Sequence, residues 1–359
     1  MNLIWQAYLQ SRNAVTRDGC VANYGNSAAE LGSVRAATVL ADLSHYGLIH
    51  FSGEDAQSFL QGQLSCDVGA INPTVARSTA LHGCYCNPKG RMLSCFLIWH
   101  DTGGYVMQLP AALRAAIQKR LSMFVLRAKV KLTDSSDALI RLGVAGGHAE
   151  ALVREVLGAV PGLTLDVIHG RQGSVIRLAQ NRFELVVAPE QAPAVWDRLS
   201  KDATPVGAPC WDWLDIKAGI PVITAATQEQ FVPQMVNLEA IGGVSFQKGC
   251  YPGQEIVART QYLGKIKRRM VLANIQPQPV SAAIPAAAAA RVAAGDELFS
   301  IDMGEQSSGM VVNAAPAPEG GFDVLAVIQT SSIEAGKIHW KSLNGPALEI
   351  MPLPYVVDY

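Results

Sequence analysis

Charge is scarce in this sequence. Only 16% of its 359 residues are Asp, Glu, Lys or Arg, and 29 basic against 30 acidic side chains leave a formal charge of −1. Such a chain has no global field to draw it onto nucleic acid or an anionic membrane, so any such contact must be local. Paired cysteine motifs are absent. Seven cysteines, an odd number with no CxxC spacing, fit neither a secreted disulfide framework nor a ribbon-type zinc site and point to a reducing cytoplasm. No uncharged apolar run approaches the ~18 residues of a membrane span; the longest small-apolar stretch, Ala286 to Ala290, is bounded by Pro285 and Arg291. The opening MNLIWQAYLQSRNAV lacks a basic start and places Gln6, Gln10 and Ser11 where a signal-peptide core would sit, so export is not expected. What the sequence does have is apolar material. With 49% hydrophobic residues it is neither disordered nor fibrous, and its length exceeds the ~250–300 residues that one core usually holds, so at least two domains are expected.

Patterning predicts α+β architecture. Residues 47–53 read as a strand and 54–64 as a short helix with acids in its first turn. Ser78 to Cys86 and Arg91 to Trp99 flank Asn87-Pro88-Lys89-Gly90, a turn whose Pro and Gly suit a β-hairpin. A strand at Tyr105 to Leu109 follows, then a helix whose face carries Leu113, Ile117, Leu121 and Phe124, then a strand at 127–133. A second round runs through a strand at Ala138 to Val144, a helix at Ala149 to Leu157, a hairpin of Ser174 to Leu178 with Phe183 to Val187, and a helix at Ala192 to Leu199. Two similar halves over mainly antiparallel sheets are implied. From Ile275 to Gly295 the chain is rich in Pro and Ala and reads as a linker or loop. Short strands with Gly turns beyond it (297–301, 309–313, 322–328, 347–351) predict a small all-β domain.

The chemistry concentrates in Phe246 to Thr260, FQKGCYPGQEIVART. Pro252 suits the first turn of a helix continuing through Gln254 to Thr260, which would leave Cys250 just ahead of unpaired amides, with Lys248 two residues away. Both favour a thiolate, while Glu255 opposes it. The alternative is a small buried cysteine beside a tight turn shaped by Gly249 and Gly253. Lys265, Lys267, Arg268 and Arg269 form a basic run that reads either as a patch for RNA phosphates or a polyglutamate tail, or as a solvated strand edge. His82, Cys84, Cys86 and Cys95 could share a hairpin face, but their spacing matches no standard metal motif, so no metal is expected. Gly143, Gly146 and Gly147 suit a plain strand-to-helix turn better than a phosphate loop.

The run Lys248-Gly249-Cys250-Tyr251-Pro252-Gly253-Gln254-Glu255 resembles the K-G-C-Y-x-G-Q-E signature of the YgfZ family, folate-binding proteins related to the aminomethyltransferase (T-protein) of the glycine cleavage system. Other blocks resemble the family in the same order: Gly53-Glu54-Asp55-Ala56 with Phe59 to Leu64, Asn87 to Arg91, Asp215-Ile216-Lys217-Ala218-Gly219-Ile220-Pro221, Asn237-Leu238 with Gly242 to Phe246, and Gly295 to Phe299. The resemblance implies two interleaved ferredoxin-like, T-protein-type α+β domains (1–135 and 136–275) and a C-terminal β-barrel (276–359) in a ring-like arrangement. It further implies a central site for tetrahydrofolate or a folate derivative, with or without a polyglutamate tail, and Cys250 as the reactive thiol with Lys248 beside it. Tyr46 and Trp211 resemble the family's aromatic folate contacts, and Arg259 is a candidate partner for the tail. Lys217 stands where the transferases carry an acid, which argues for binding over aminomethyl transfer. The implied function is support of iron–sulfur enzymes, including radical enzymes that thiolate tRNA, by a monomeric cytoplasmic protein that has only weak tRNA contact of its own and no membrane partner. The alternative is a folate-dependent one-carbon transferase or demethylase.

Overall fold

The computed structural model describes residues 1–71, 77–264, 266–276 and 291–357. The predicted hairpin forms strands Leu81–Cys86 and Met92–Asp101, with Cys84 opposite Cys95. Strands Gly104–Pro110, Tyr46–Ser52 and Lys131–Asp134 extend it, in that order, to an antiparallel five-stranded sheet. Helix Ala111–Ser122 buries Leu113, Ile117 and Leu121 on one side of this sheet. Phe124 lies past the end of that helix and is 45% exposed, so the predicted apolar face stops one turn early. Helix 54–64 shortens likewise to Ala56–Gln61, and the strand predicted from residue 127 begins at Lys131.

The second sheet has seven strands in the order Thr204–Val206, Val39–Asp42, Ile140–Ala145, Arg182–Val187, Gly173–Ala179, Asp166–Gly170 and Arg77–Thr79. All its pairings are antiparallel except that of Thr204–Val206 with Val39–Asp42. Val39–Asp42 and Arg77–Thr79 precede most of the five-stranded sheet in the chain yet pair in this one, which interleaves the two halves. Helices Ala149–Leu157 and Ala192–Leu199 form where their periodicity places them, covering one face with Leu152, Val153, Val195 and Trp196. The other face meets the five-stranded sheet through Leu48, Val106, Val167, Ile176 and Val186.

The third sheet contains Ile338–Trp340, Glu297–Ser300, Ser307–Pro316, Phe322–Gln329, Arg268–Ile275 and Leu348–Met351. In place of the expected closed barrel it curls into a half-barrel, and its edge regions meet at an isolated bridge between His339 and Ala347. A shared core of Cys86, Met92, Ile216, Leu238, Val257 and Leu325 ties it to the hairpin and to helices Ala208–Lys217 and Gln254–Tyr262. Among the described residues no helix is long and apolar enough to cross a membrane. Most of the predicted linker, residues 277–290, and Lys265 lie outside the described residues.

A candidate ligand pocket and an exposed thiol

Helix Ala208–Lys217 has two working faces. Trp211 and Asp215, four residues apart, share one side, while Trp213 and Lys217 share another. On the first side a small cavity of about 70 Å³ opens between the two α+β sheets, below the roughly 300–1,000 Å³ usual for small-molecule sites. Its walls are apolar, from Leu97, Leu109, Leu178, Leu238 and Ile241, and its polar groups are Tyr46, His82, Gln108, Glu184 and Asp215. Trp211 is 1% exposed and reaches the cavity because Gly143, inside strand Ile140–Ala145, leaves room for it: a Cβ at 143 would sit 2.4 Å from the indole. That close approach accounts for Gly143 without any turn. Arg182 lies 4.4 Å above the Trp211 ring and pairs with Asp215, which also accepts a 2.7 Å hydrogen bond from the Tyr46 hydroxyl. Arg141 donates to the Tyr46 carbonyl at 2.9 Å.

Glu184 is 1% exposed, and burial pushes its carboxyl up to about 7, with a 3.0 Å hydrogen bond from Gln108 Nε2 to its Oε2 working the other way. Burial holds the His82 and His45 imidazoles down at about 4, hence neutral. Glu184 Oε1 and Gln108 Oε1 are buried without a hydrogen-bond partner.

Of the four residues proposed for folate, Tyr46 and Trp211 line this pocket and Lys217 and Arg259 do not. Lys217 points to the half-barrel, where its ammonium lies 3.6 Å from Asp323, the carboxylate that also accepts from Trp213 Nε1 at 2.8 Å. Arg259 is exposed on helix Gln254–Tyr262. Gln108, Arg182 and Glu184 were not singled out by sequence reasoning. Their signal is a polar side chain at an inward position of an otherwise apolar strand, as in GYVMQLP and RFELVV.

The signature segment forms a separate surface feature. Cys250 is exposed. Burial pushes the thiols of Cys66, Cys95 and Cys210 up to about 12, and that of Cys84 well above its ordinary value. Cys250 is therefore the thiol placed to meet another molecule. Lys248 does not turn toward it: its ammonium donates to the carbonyls of Gln61 (2.6 Å), Leu64 (2.5 Å) and Cys66 (2.9 Å), pinning the signature loop to the loop after helix Ala56–Gln61. Tyr251 is buried, with its hydroxyl unpartnered. Gln254 begins the helix and Glu255 is exposed in its first turn. Pro252 lies one residue before the helix cap, Gly253, and not inside the first turn. Gly253 has φ 81°, and a Cβ there would fall 2.5 Å from the Asn87 carbonyl oxygen, against the Asn87-Pro88-Lys89-Gly90 turn. Gly249 is exposed, with open space where a Cβ would sit. Gly253→Ala is expected to lower stability by about 2 kcal/mol through left-handed backbone strain and this clash, read as a drop in urea midpoint at unchanged m-value; Gly249→Ala serves as the near-neutral control.

The basic run is interrupted. Arg269 is 5% exposed and pairs with Glu239 while donating to the Gln234 carbonyl at 2.8 Å, which leaves Lys267 and Arg268 as its exposed members among the described residues. The patch reading required Lys267 and Arg269 to share a solvent face. They do not, because the strand turns 269 into the core between sheet and helix. On the hairpin the Cys84 and Cys86 sulfurs approach to 3.5 Å, while Cys95 donates to the Pro221 carbonyl at 3.0 Å and lines the pocket with His82. Among the described residues no group of three or more His, Cys, Asp or Glu is placed to hold a metal.

Residues 21–248 match the GCVT N-terminal domain family. The chain is 32% identical over 332 residues to the tRNA-modifying protein YgfZ of Sodalis glossinidius (strain morsitans), covering 91% of this chain and 96% of that protein. It is 36% identical over 241 residues to the YgfZ protein of Colwellia psychrerythraea (67% and 72% covered), and 32% identical over 330 residues to that of Klebsiella pneumoniae (91% and 95%). The crystal structure of the glycine cleavage system aminomethyltransferase T from Bartonella henselae superposes with a TM-score of 0.75 at 18% identity, covering 99% of this chain and 98% of that one, a likeness of fold.

Proposed function

Since this chain belongs to the YgfZ family and carries its GCVT domain, we propose that it is a folate-binding accessory protein that supports iron–sulfur enzymes of tRNA modification, with tetrahydrofolate in the inter-sheet pocket and Cys250 as its reactive thiol. The observation that carries this reading is the lining of the pocket: apolar walls with Trp211 and Tyr46 among a few buried polar groups, Gln108, Glu184 and Asp215. A pterin is flat, largely apolar on its faces and lined with N–H groups at its edge, so the chemistry of this lining suits it, and the cavity of about 70 Å³ must widen to admit the ring. When bound, tetrahydrofolate carries one-carbon units on its N5 and N10 nitrogens. The chain's own contribution is to exclude water, orient the ring through Tyr46, Gln108 and Glu184, and keep the apolar walls closed around it. Cys250 lies at the surface and does not line the pocket, which suits contact with a client enzyme and not with the folate ring. With Lys267 and Arg268 as the exposed members of the basic run among the described residues, the route to tRNA passes through that client. Seven free thiols belong in a reducing compartment such as the cytoplasm.

Calorimetric titration with tetrahydrofolate is expected to show binding to the wild type, weakened at least about tenfold in Trp211→Ala once circular dichroism shows that variant folded. Absence of binding to the wild type would sink the ligand assignment. Cys250→Ser should retain folate affinity and fail to restore tRNA thiolation in a deletion strain; full restoration would remove the thiol from the function.

A further inference from the structure

Residues 111–133 carry six cations, Arg114, Lys119, Arg120, Arg127, Lys129 and Lys131, and no carboxylate, while in the rest of the chain 30 acidic side chains face 23 basic ones. Such segregation places a local positive field on an otherwise acidic protein. Arg114 pairs with Asp134 at 2.9 Å, Lys129 pairs with Glu54, and Arg120 is half-buried beside Tyr85. Lys119, Arg127 and Lys131 are left as the exposed, unpaired members among the described residues.

The same segment exposes apolar side chains. Helix Ala111–Ser122 turns Leu113, Ile117 and Leu121 into the core, and its outer side carries Ala112, Ala115, Ala116 and Lys119. Past Ser122 the chain winds on through backbone hydrogen bonds from Met123 to Arg120, Phe124 to Leu121 and Val125 to Ser122, the tighter spacing of a 3₁₀ turn. That spiral packs Val125 against the core and leaves Met123 61%, Phe124 45% and Leu126 90% exposed. Leu126 has φ 36°, in the left-handed region that a bulky side chain avoids. Three large apolar side chains within four residues, beside an acid-free helix, mark a surface that another phase or molecule covers.

We propose that Met123, Phe124 and Leu126 form a wedge that seats this face reversibly on an anionic lipid surface, with Lys119, Arg127 and Lys131 at the level of the headgroups. An anionic bilayer complements both features at once, since its acyl chains take up the apolar tips and its phosphates face the cations. A nucleic acid supplies phosphates and no apolar medium for a side chain as exposed as Leu126. An acidic protein would need a pocket shaped to the three tips, whereas acyl chains adapt to them. Among the described residues no helix is long and apolar enough to cross a membrane, so the contact is peripheral. None of these residues lines the inter-sheet pocket, and the wedge stands independently of the folate assignment. It departs from the expectation of no membrane partner.

The test is sedimentation of the full chain with vesicles of phosphatidylcholine alone or with about one-third phosphatidylglycerol. The wild type is expected to bind the mixed vesicles at least about tenfold more strongly than the neutral ones, and less as salt rises from about 0.05 to 0.3 M. Arg127→Gln should weaken binding about fivefold, the equivalent of about 1 kcal/mol for one cation at such a surface. Leu126→Asp should weaken it about tenfold or more. Both positions are exposed, and circular dichroism with urea unfolding checks that the variants keep the wild-type fold. In Phe124→Trp, fluorescence beyond that of the wild type should be quenched by lipids brominated along the acyl chain, which reports insertion. Binding to neither vesicle, equal binding to both, or full binding by Leu126→Asp overturns the proposal. Binding without that quenching overturns the wedge, because the cations alone then hold the surface. If the wild type ignores both vesicles while a stably folded Leu126→Asp fails to restore tRNA thiolation in a deletion strain, the face belongs to a protein partner and the lipid assignment falls.

Discussion

Lys248→Met is expected to destabilise the protein by about 3–5 kcal/mol. Its ammonium makes three charge-assisted hydrogen bonds to the carbonyls of Gln61, Leu64 and Cys66, and Leu64 and Cys66 are almost fully buried. Hydrogen bonds to a charged group each contribute about 1.5–3 kcal/mol, and a buried acceptor left without its donor costs about 1–3 kcal/mol. Partial burial already lowers the affinity of the Lys248 amine for its proton, which offsets part of the gain. Urea unfolding measures the loss. The rate of iodoacetamide labelling at Cys250 gives a local readout, because freeing the loop should let the thiol sample more conformations. Cys250→Ser, at an exposed position, should change stability by no more than about 0.5 kcal/mol. A change below about 1 kcal/mol for Lys248→Met would show that the ammonium pins nothing and would return it to the chemistry of the thiol.

The contrast between Lys248 and Cys250 shows what sequence proximity can mislead. Two residues apart, they invite an electrostatic pairing, yet the backbone between them turns so that one side chain points into a carbonyl cage and the other to solvent. Local pattern was informative where a single element decides the outcome. The helices at 149–157 and 192–199 have strong amphipathic periodicity, and their ends fall where the pattern stops. Helices Leu3–Ser11 and Ser27–Ala36 were not recognised: the first caps on Asn2 and buries only Trp5 and Leu9, and the second caps on Asn26 and buries Glu30 and Val34, so neither displays a continuous apolar stripe. Pairing of strands across the halves was not legible in pattern, since Val39–Asp42 and Arg77–Thr79 choose their sheet through tertiary contacts.

The same division holds at the pocket. Trp211 and Trp213 on a helix lie on different faces, and once helix Ala208–Lys217 is placed, this rule alone sends Trp211 and Asp215 to the cavity and Trp213 and Lys217 to the half-barrel. Reading the segment as a helix was the step that decided Lys217. Glu184 and Gln108 were hidden for another reason. Each is an ordinary polar residue in its own strand, and the buried acceptor pair exists only when the two sheets face each other.

Glu184 should leave a measurable signature on stability, with no ligand present. Its ordinary carboxyl value is 4.5, and in the folded chain burial raises it to about 7. Between these values the folded chain holds a proton that the unfolded chain has released. The stability this group contributes is therefore fully present below pH 4.5 and is lost as pH rises toward 7, a total of about 3 kcal/mol at about 1.4 kcal/mol per unit. His45 and His82 act in the opposite sense. Held at about 4 against an ordinary 6.5, they contribute stability above pH 6.5 that is lost as pH falls. The raw pH profile of the wild type therefore mixes opposing slopes, and the comparison that isolates the carboxyl is with Glu184→Gln, which leaves both imidazoles in place. The stability of the variant relative to the wild type is expected to grow by about 1.4 kcal/mol for each unit of pH between about 5 and 7 and to level off above about 7.5, measured by urea unfolding at pH 5, 6, 7 and 8. A difference independent of pH would mean that the carboxyl titrates as it does in water. In that case the polar end of the pocket is hydrated, and its unpaired acceptors already have their donors in solvent.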